Sequence, residues 1–403
     1  MRHAMLHTEG KFKGHYFLIT IILMMSAFAL TSCVDMEDKL QTKHFLSFVL
    51  TNRCNLNCIY CYEKHKHIAS IDTDTVKQII ERYLNDSKYE EVEIDFFGGE
   101  PFLEFDKIKE ICEWTWSRKW SAKYLFFATT NGTILTNEIK DWLRANKQYF
   151  WVSLSLDGTR DTHNLNRSNS FDKIDVNFFK ECWPEQSVKM TISKQRIEYL
   201  YEDIVFIHSL GFNIAGTNFA EGIDWEDTKY KQVVFEQLEK LCNYYIEHPQ
   251  ITPAPILNMA IHKCAESEKS RGKWCGCGQT MSVYETDGKC YPCTFFTPMT
   301  FKEDQQKEIA KIDFTNDDEF IDCDCFNNCY IEPVCNNCYG ANMLATGCVN
   351  KRDKSKCTLM KIRALFTAAL QAHKLQQNPE DTYENALSVK AILRINELYN
   401  GNL

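Results

Sequence analysis

The chain has 403 residues, 44% of them hydrophobic and 25% charged, with a formal charge of −9 at pH 7 and 19 cysteines. This length and apolar content support one large or two ordinary folded domains, which excludes a disordered chain and a short disulfide-stapled scaffold. The acidic balance argues against a general nucleic-acid binder, and the odd cysteine count leaves at least one thiol outside any set of intramolecular disulfides.

Residues 1–42 read as a segment apart. Lys11 and Lys13 precede an apolar run from Tyr16 to Leu30, and Leu30-Thr31-Ser32-Cys33 follows. A basic, then hydrophobic, then small-residue order resembles a bacterial lipoprotein signal in which Cys33 would be lipidated. The run is short for a membrane span. The other reading is a mis-assigned start, with Met36 opening the chain.

Over 43–228, short apolar runs alternate with amphipathic stretches. The runs are Phe45 to Leu50, Val92 to Phe97, Tyr124 to Thr129, Phe150 to Leu156, Val188 to Ile192 and Phe212 to Phe219. Helical periodicity occupies Thr75 to Leu84, Phe105 to Trp120, Asn137 to Ala145 and Ile197 to Leu210. This order predicts an α/β fold with a parallel sheet covered by helices, whose chemistry gathers at the C-terminal ends of the strands. A helical connector over 229–262 carries Val233, Val234, Leu238, Leu241 and Cys242 on one stripe, which makes Cys242 a buried small hydrophobe. Residues 263–360 are a cysteine field in which the interval between Cys293 and Cys323 reads as a charged loop. The final stretch, 361–403, continues helical patterns over Met360 to Leu375 and Tyr383 to Tyr399, broken at Asn378-Pro379.

The cysteines cluster: three lie in Cys54 to Cys61, twelve between Cys264 and Cys357, and Cys33, Cys112, Cys182 and Cys242 are scattered. Clustering of this kind favours metal or cluster ligation. The first group, Cys54-Asn55-Leu56-Asn57-Cys58-Ile59-Tyr60-Cys61, directly follows the first expected strand. Three thiolates on one short loop suit three irons of a cubane cluster whose fourth iron stays open to an outside ligand. Zinc would want a fourth Cys or His, for which His65 and His67 are the nearby candidates.

The spacing Cys-x3-Cys-x-aromatic-Cys, with Tyr60 as the aromatic residue, resembles the signature of the radical S-adenosylmethionine (radical SAM) superfamily. Gly98-Gly99-Glu100-Pro101 at the end of the second strand is similar to that family's cofactor-binding tetrapeptide; glycines permit close approach to the backbone, and a carboxylate can accept from an ammonium. Thr130-Asn131-Gly132 and Ser153-Leu154-Ser155-Leu156-Asp157-Gly158 resemble segments of the same family at the next two strand ends, although Asp157-Gly158 also reads as an ordinary turn. The resemblance covers about 45–225. It implies a partial (β/α)6 TIM-type barrel, with Cys54, Cys58 and Cys61 holding a [4Fe-4S] cluster. Tyr60, Gly98, Gly99, Glu100, Pro101, Asn131, Ser155 and Arg167 would contact S-adenosylmethionine. In that family, reductive cleavage of the cofactor gives methionine and a 5′-deoxyadenosyl radical, which abstracts hydrogen inside a water-excluding barrel.

The second field contains Cys275, Cys277, then Gly288-Lys289-Cys290-Tyr291-Pro292-Cys293, then Cys323, Cys325, Cys329, Cys335, Cys338, Cys348 and Cys357. Its Cys-x12-Gly-x4-Cys resembles the SPASM extension of radical SAM enzymes, a small iron–sulfur domain with two auxiliary [4Fe-4S] clusters. The segment from Cys325 to Cys338 is a variant spacing of the SPASM pattern. By that resemblance Cys325, Cys329, Cys335 and Cys357 hold the outer cluster, and Cys275, Cys293 and Cys338 the inner one. Cys277, Cys290 and Cys264 are the candidates for its fourth ligand, unless an iron is left open to substrate, and Cys323 competes with Cys325. Paired zinc ribbons that form an interaction scaffold are the alternative to clusters.

The expected activity is oxidative modification of a peptide or protein, foremost a ribosomally made precursor that gains a thioether or another cross-link. Anaerobic sulfatase-maturase-like formylglycine formation is the runner-up, because those enzymes place a catalytic Asp where this chain has Thr294. No catalytic side chain is singled out. An external electron donor such as flavodoxin or ferredoxin is expected, with no nucleic-acid partner. A reducing, cytoplasmic setting is expected, with a membrane partner only if Cys33 is lipidated.

Overall fold

The computed structural model describes residues 43–226, 228–336 and 338–401. The leader-like segment, with Cys33 and Met36, lies outside the described residues. Strands and helices alternate as β1 (Lys43–Thr51), α1 (Thr73–Leu84), β2 (Glu91–Gly98), α2 (Phe105–Trp116), β3 (Lys123–Thr130), α3 (Asn137–Asn146) and β4 (Phe150–Leu154). Two short helices follow, α4 (Arg160–Asn166) and α5 (Val176–Cys182), then β5 (Val188–Ile192), α6 (Leu200–Ser209), β6 (Ile214–Phe219) and the long α7 (Thr228–Glu247). The six runs read as strands are the first six strands. The helices between β4 and β5 are unexpected, since each spans seven residues, too few turns for an apolar stripe to repeat.

The six strands are parallel, with β4-β3-β2-β1 in one sheet and β5-β6 in another. A single bridge, Ser155 to Lys189, joins the two sheets, so the wall is an open, partial barrel. Alternation sorts its side chains: Ile94, Phe96, Phe126, Phe150 and Val152 face the helices and are buried, while their odd-numbered neighbours Asp95, Phe127 and Trp151 take the other face. Phe96 stacks on Phe126 at 5.5 Å, and Trp142 of α3 meets Phe150 edge-on at 5.7 Å. Side-chain caps start the helices, Asp72 accepting from the Thr75 N–H and Thr136 from the Ile139 N–H.

The cysteine field is built into this wall. β7 (Met281–Tyr284) lies parallel to β1, with Phe45 to Phe48 in register with Met281 to Tyr284, and β8 (Cys290–Tyr291) pairs antiparallel to β7. The interval read as a charged loop contains the helix α8 (Glu303–Ile309), which buries a single residue, Ile309, too little for an apolar pattern to show. Then come α9 (Cys323–Asn328), α10 (Tyr339–Thr346), α11 (Cys357–Gln377) and α12 (Tyr383–Tyr399). Cys242 is buried on α7, with its thiol 3.8 Å from the Phe366 carbonyl of α11, as the stripe predicted. Among the described residues no helix is long and apolar enough to cross a membrane.

Candidate active site and cysteine centres

The loop after β1 carries Cys54, Cys58 and Cys61, all partly exposed. The side chains and backbone between them brace it. Asn55 Oδ1 accepts from Asn131 Nδ2 at 2.9 Å, the Asn57 N–H donates to Ser168 Oγ at 2.9 Å, and the Ile59 N–H donates to the Asn166 carbonyl at 3.0 Å. Ser168 and Asn169 hold φ of 56° and 52°, a left-handed conformation that non-glycine residues adopt at a cost.

The glycines of Gly98-Gly99-Glu100-Pro101 serve a close approach within the chain itself. Gly98 has φ +134°, and a Cβ there would lie 2.3 Å from the Thr51 carbonyl oxygen. At Gly99 a Cβ would stand 2.2 Å from the Arg53 carbonyl oxygen. The Gly99 and Glu100 N–H groups donate to those same two carbonyls, which fastens the cysteine loop to the end of β2. The buried Glu100 carboxylate accepts from the Phe102 N–H at 3.1 Å, Thr130 Oγ1 at 2.7 Å and the Asn131 N–H at 2.8 Å, so it ties β2 to β3. Pro101 begins the turn that follows.

Asp157, read as a turn residue, is the hub of the mouth. It is fully buried and accepts from the Tyr60 hydroxyl, Asn166 Nδ2, Arg167 and the Thr191 N–H. Arg167 lies 3.0 Å from Asp157 Oδ2 and 5.4 Å from the centre of the Tyr60 ring. Burial pushes the Asp157 carboxyl up, but the Arg167 guanidinium outweighs it and holds the group below its usual range. Burial drives the Cys58 thiol to about 11 although Arg167 opposes it, so occupation by a metal would displace a proton there. Ser155 lies at the same strand end, its N–H on the Thr130 carbonyl. The sequence signal for Asp157 was its place directly beyond a strand end.

The second field separates into two centres. Cys275, Cys277, Cys293 and Cys338 share one apolar cluster with Phe295 and Tyr339. Cys277 interacts with both Cys275 and Cys293, which pushes its own thiol up and holds that of Cys275 down. Cys325, Cys329, Cys335 and Cys357 line one small cavity together. Cations surround it: Lys354 Nζ is 3.0 Å from Cys325 Sγ, Arg352 donates to the Cys335 carbonyl at 3.0 Å, and Lys269 to that of Cys329 at 3.1 Å. Such a collar in an acidic chain suits an anionic thiolate centre. Cys290 and Cys323 are exposed, and Cys264 packs in a different core with Cys329 and Cys335.

A cavity of about 520 Å³ opens between Tyr60 and Tyr62 of the cysteine loop, Glu221 beyond β6, and Thr300 and Lys302. Tyr62 stacks on Phe295 at 4.3 Å, and its hydroxyl is 3.4 Å from Thr294 Oγ1.

Residues 48–177 match the model of the radical SAM superfamily. They form a radical SAM domain, and the chain is an enzyme. An uncharacterized protein of Methanocaldococcus jannaschii is 34% identical over 29% of this chain, a match that spans 39% of that relative. The cysteine-type anaerobic sulfatase-maturating enzyme of Clostridium perfringens is 24% identical over 322 residues, 68% of this chain and 84% of that one. The structure of native anSMEcpe with bound AdoMet and Kp18Cys peptide superposes with a TM-score of 0.64 at 19% identity, over 83% of this chain and 99% of that one. Streptococcus suis SuiB bound to precursor peptide SuiA gives 0.51 at 16% identity, over 84% and 88%. These likenesses bear out the α/β parallel-sheet fold. The cofactors are S-adenosylmethionine and iron–sulfur [4Fe-4S] clusters. The residues fit them: one loop offers three thiols and no carboxylate among Cys54 to Cys61, and a buried guanidinium, amide and hydroxyl converge on the mouth.

Proposed function

We propose that this enzyme oxidatively modifies a peptide, foremost a ribosomally made precursor. Cys54, Cys58 and Cys61 would hold the cluster that engages S-adenosylmethionine. Cys275, Cys277, Cys293 and Cys338 would hold an inner auxiliary cluster, and Cys325, Cys329, Cys335 and Cys357 an outer one. The observation that carries this reading is the sorting of eight cysteines into two groups of four, one in the apolar cluster that Tyr62 packs against and one in the cavity that Glu221 also lines. It also favours Cys277 over Cys264 and Cys290, and Cys325 over Cys323.

When bound, the cofactor pair supplies a 5′-deoxyadenosyl radical that abstracts hydrogen from carbon. The chain's own residues do the rest. Asp157 fixes Tyr60 and Arg167, Glu100 and Asn131 lock the strand ends to the cysteine loop, and the packed wall of Phe96, Phe126 and Phe150 keeps the barrel rigid. The relatives named for acting on sulfatases, and those solved with peptides, support a peptide substrate. An external low-potential electron donor would complete the reaction.

Formylglycine formation is the second reading, favoured by the similarity over 322 residues to a sulfatase-maturating enzyme. Thr294 weighs against it, because a hydroxyl facing Tyr62 is no base near neutral pH. Anaerobic reconstitution tests the common core: about twelve irons per chain for three four-iron clusters, broad visible absorption, and 5′-deoxyadenosine under reductant. Colourless, zinc-loaded protein would sink it. Mass spectrometry of a precursor peptide encoded beside the gene should show loss of two hydrogens with a new cross-link, whereas formylglycine in a sulfatase peptide would select the second reading.

A further inference from the structure

The cavity at the barrel mouth has an uneven chemistry. Ile59, Ile223 and Leu344 supply apolar wall, while the polar lining includes two ammonium groups, Lys64 and Lys302, beside His65, Thr300 and Gln305. Lys64 and Lys302 are exposed, line the cavity, and form no ion pair among the described residues. Thr300 is 4% exposed, and its hydroxyl, buried at the same wall, has no hydrogen-bond partner among the described residues. Glu221 is the single carboxylate among the lining residues, and it is already bound to the Lys356 ammonium. The cavity therefore has a cationic lining in a chain whose formal charge is −9.

We propose that this cavity recognises a carboxylate of the peptide, held by the Lys64 and Lys302 ammonium groups and the Thr300 hydroxyl, with the apolar wall taking the adjoining side chain. The inference rests on the peptide-modifying reading and names its substrate class as an acidic peptide. A buried hydroxyl without a partner is costly, and a carboxylate oxygen satisfies it with a charge-assisted bond. Two unpaired cations on one cavity wall also attract a mobile anion from solution, an effect that weakens as salt screens it. The source of the carboxylate is either an acidic side chain or the peptide's C-terminus, and the two are separable.

The test is fluorescence anisotropy with the anaerobically reconstituted full chain in S-adenosylmethionine. Three fluorescein-labelled decapeptides share one phenylalanine, one leucine and a glycine–serine frame. The first carries three glutamates and a C-terminal amide, the second replaces the glutamates by glutamine, and the third is the glutamine peptide with a free C-terminal carboxylate. One of the two carboxylate peptides should bind about tenfold tighter than the glutamine amide at low salt, and which of the two does so identifies the source. Added salt should reduce that preference, the Lys64→Glu/Lys302→Glu variant should abolish it, and Thr300→Val should weaken the preferred peptide several-fold without altering the glutamine amide. Thermal melting of each variant separates loss of binding from loss of fold. Equal binding of all three peptides, or a preference that survives the charge reversal, overturns the carboxylate site and leaves the peptide reading standing. Failure of every peptide to bind overturns both.

Discussion

A single cysteine can be assigned by what surrounds its sulfur. Cys277 is 1% exposed and interacts with Cys275 and Cys293 in one apolar cluster, whereas Cys290 is exposed on β8 and Cys264 belongs to another core. Cys277→Ser should therefore lower the iron content of reconstituted protein by up to about four atoms per chain, the content of one cluster. Cys290→Ser should leave it unchanged. Equal iron in both variants would remove Cys277 from the inner centre. The sequence could not make this choice, because Cys-x-Cys and Cys-x2-Cys spacings look alike until the backbone between Cys275 and Cys293 is folded. Gly99 illustrates a residue whose type was legible and whose reason was not: its hydrogen leaves room for the Arg53 carbonyl. Gly99→Ala should push the cysteine loop off β2, and iron analysis of Cys54, Cys58 and Cys61 isolated by the triple removal of Cys275, Cys293 and Cys335 would show the loss.

At the scale of elements, β1 is the strand on which two parts of the molecule meet, since it pairs with β2 on one side and β7 on the other. His44 marks that seam. Its imidazole packs between Tyr83 at 5.0 Å and Tyr89 at 4.7 Å and lies 3.1 Å from Ser282 Oγ of the neighbouring segment. Burial, with Lys88 nearby, lowers its pKa to about 4 from an ordinary value of 6.5. The unfolded chain therefore takes up this proton first as pH falls. The contribution is fully present above about 6.5 and is lost progressively down to about 4, at roughly 1.4 kcal/mol per pH unit at most. Urea unfolding between pH 7 and 4.5 should show this loss, and His44→Gln should flatten it by about 2 kcal/mol over that range. An unchanged slope in the variant would place the acid sensitivity elsewhere. The strand β1 itself was plain in the sequence, as a six-residue apolar run from Phe45 to Leu50. Its partner β7 was not, because Met281-Ser282-Val283-Tyr284 spans four residues and borrows its stability from the existing sheet edge. The same limit hid α4, α5 and α8, whereas α7 and α12 are long enough for their apolar stripes to repeat.

The whole molecule is held as one working unit by contacts that no local pattern announces. Glu221, just beyond β6, reaches Lys356, which immediately precedes Cys357 and α11. This carboxylate borders both the mouth cavity and the cavity of Cys325, Cys329, Cys335 and Cys357, while its partner lines the second. The pair thus fixes the distance between the barrel mouth and the outer cysteine centre, and its side chains are 25% and 10% exposed. At that exposure solvent screens part of the attraction, so intact pairing stabilises little, but removing one partner leaves the other charge partly desolvated. Glu221→Gln and Lys356→Met should each cost roughly 1–3 kcal/mol in chemical unfolding, and the double variant should cost less than the sum of the two. Additive losses would show that the two groups do not act as a pair. The singles should also change the visible spectrum or redox potential of the reconstituted outer centre, since each alters a fixed charge beside Cys357, while a pair that merely stabilises the fold would shift the unfolding midpoint and leave the spectrum and potential untouched.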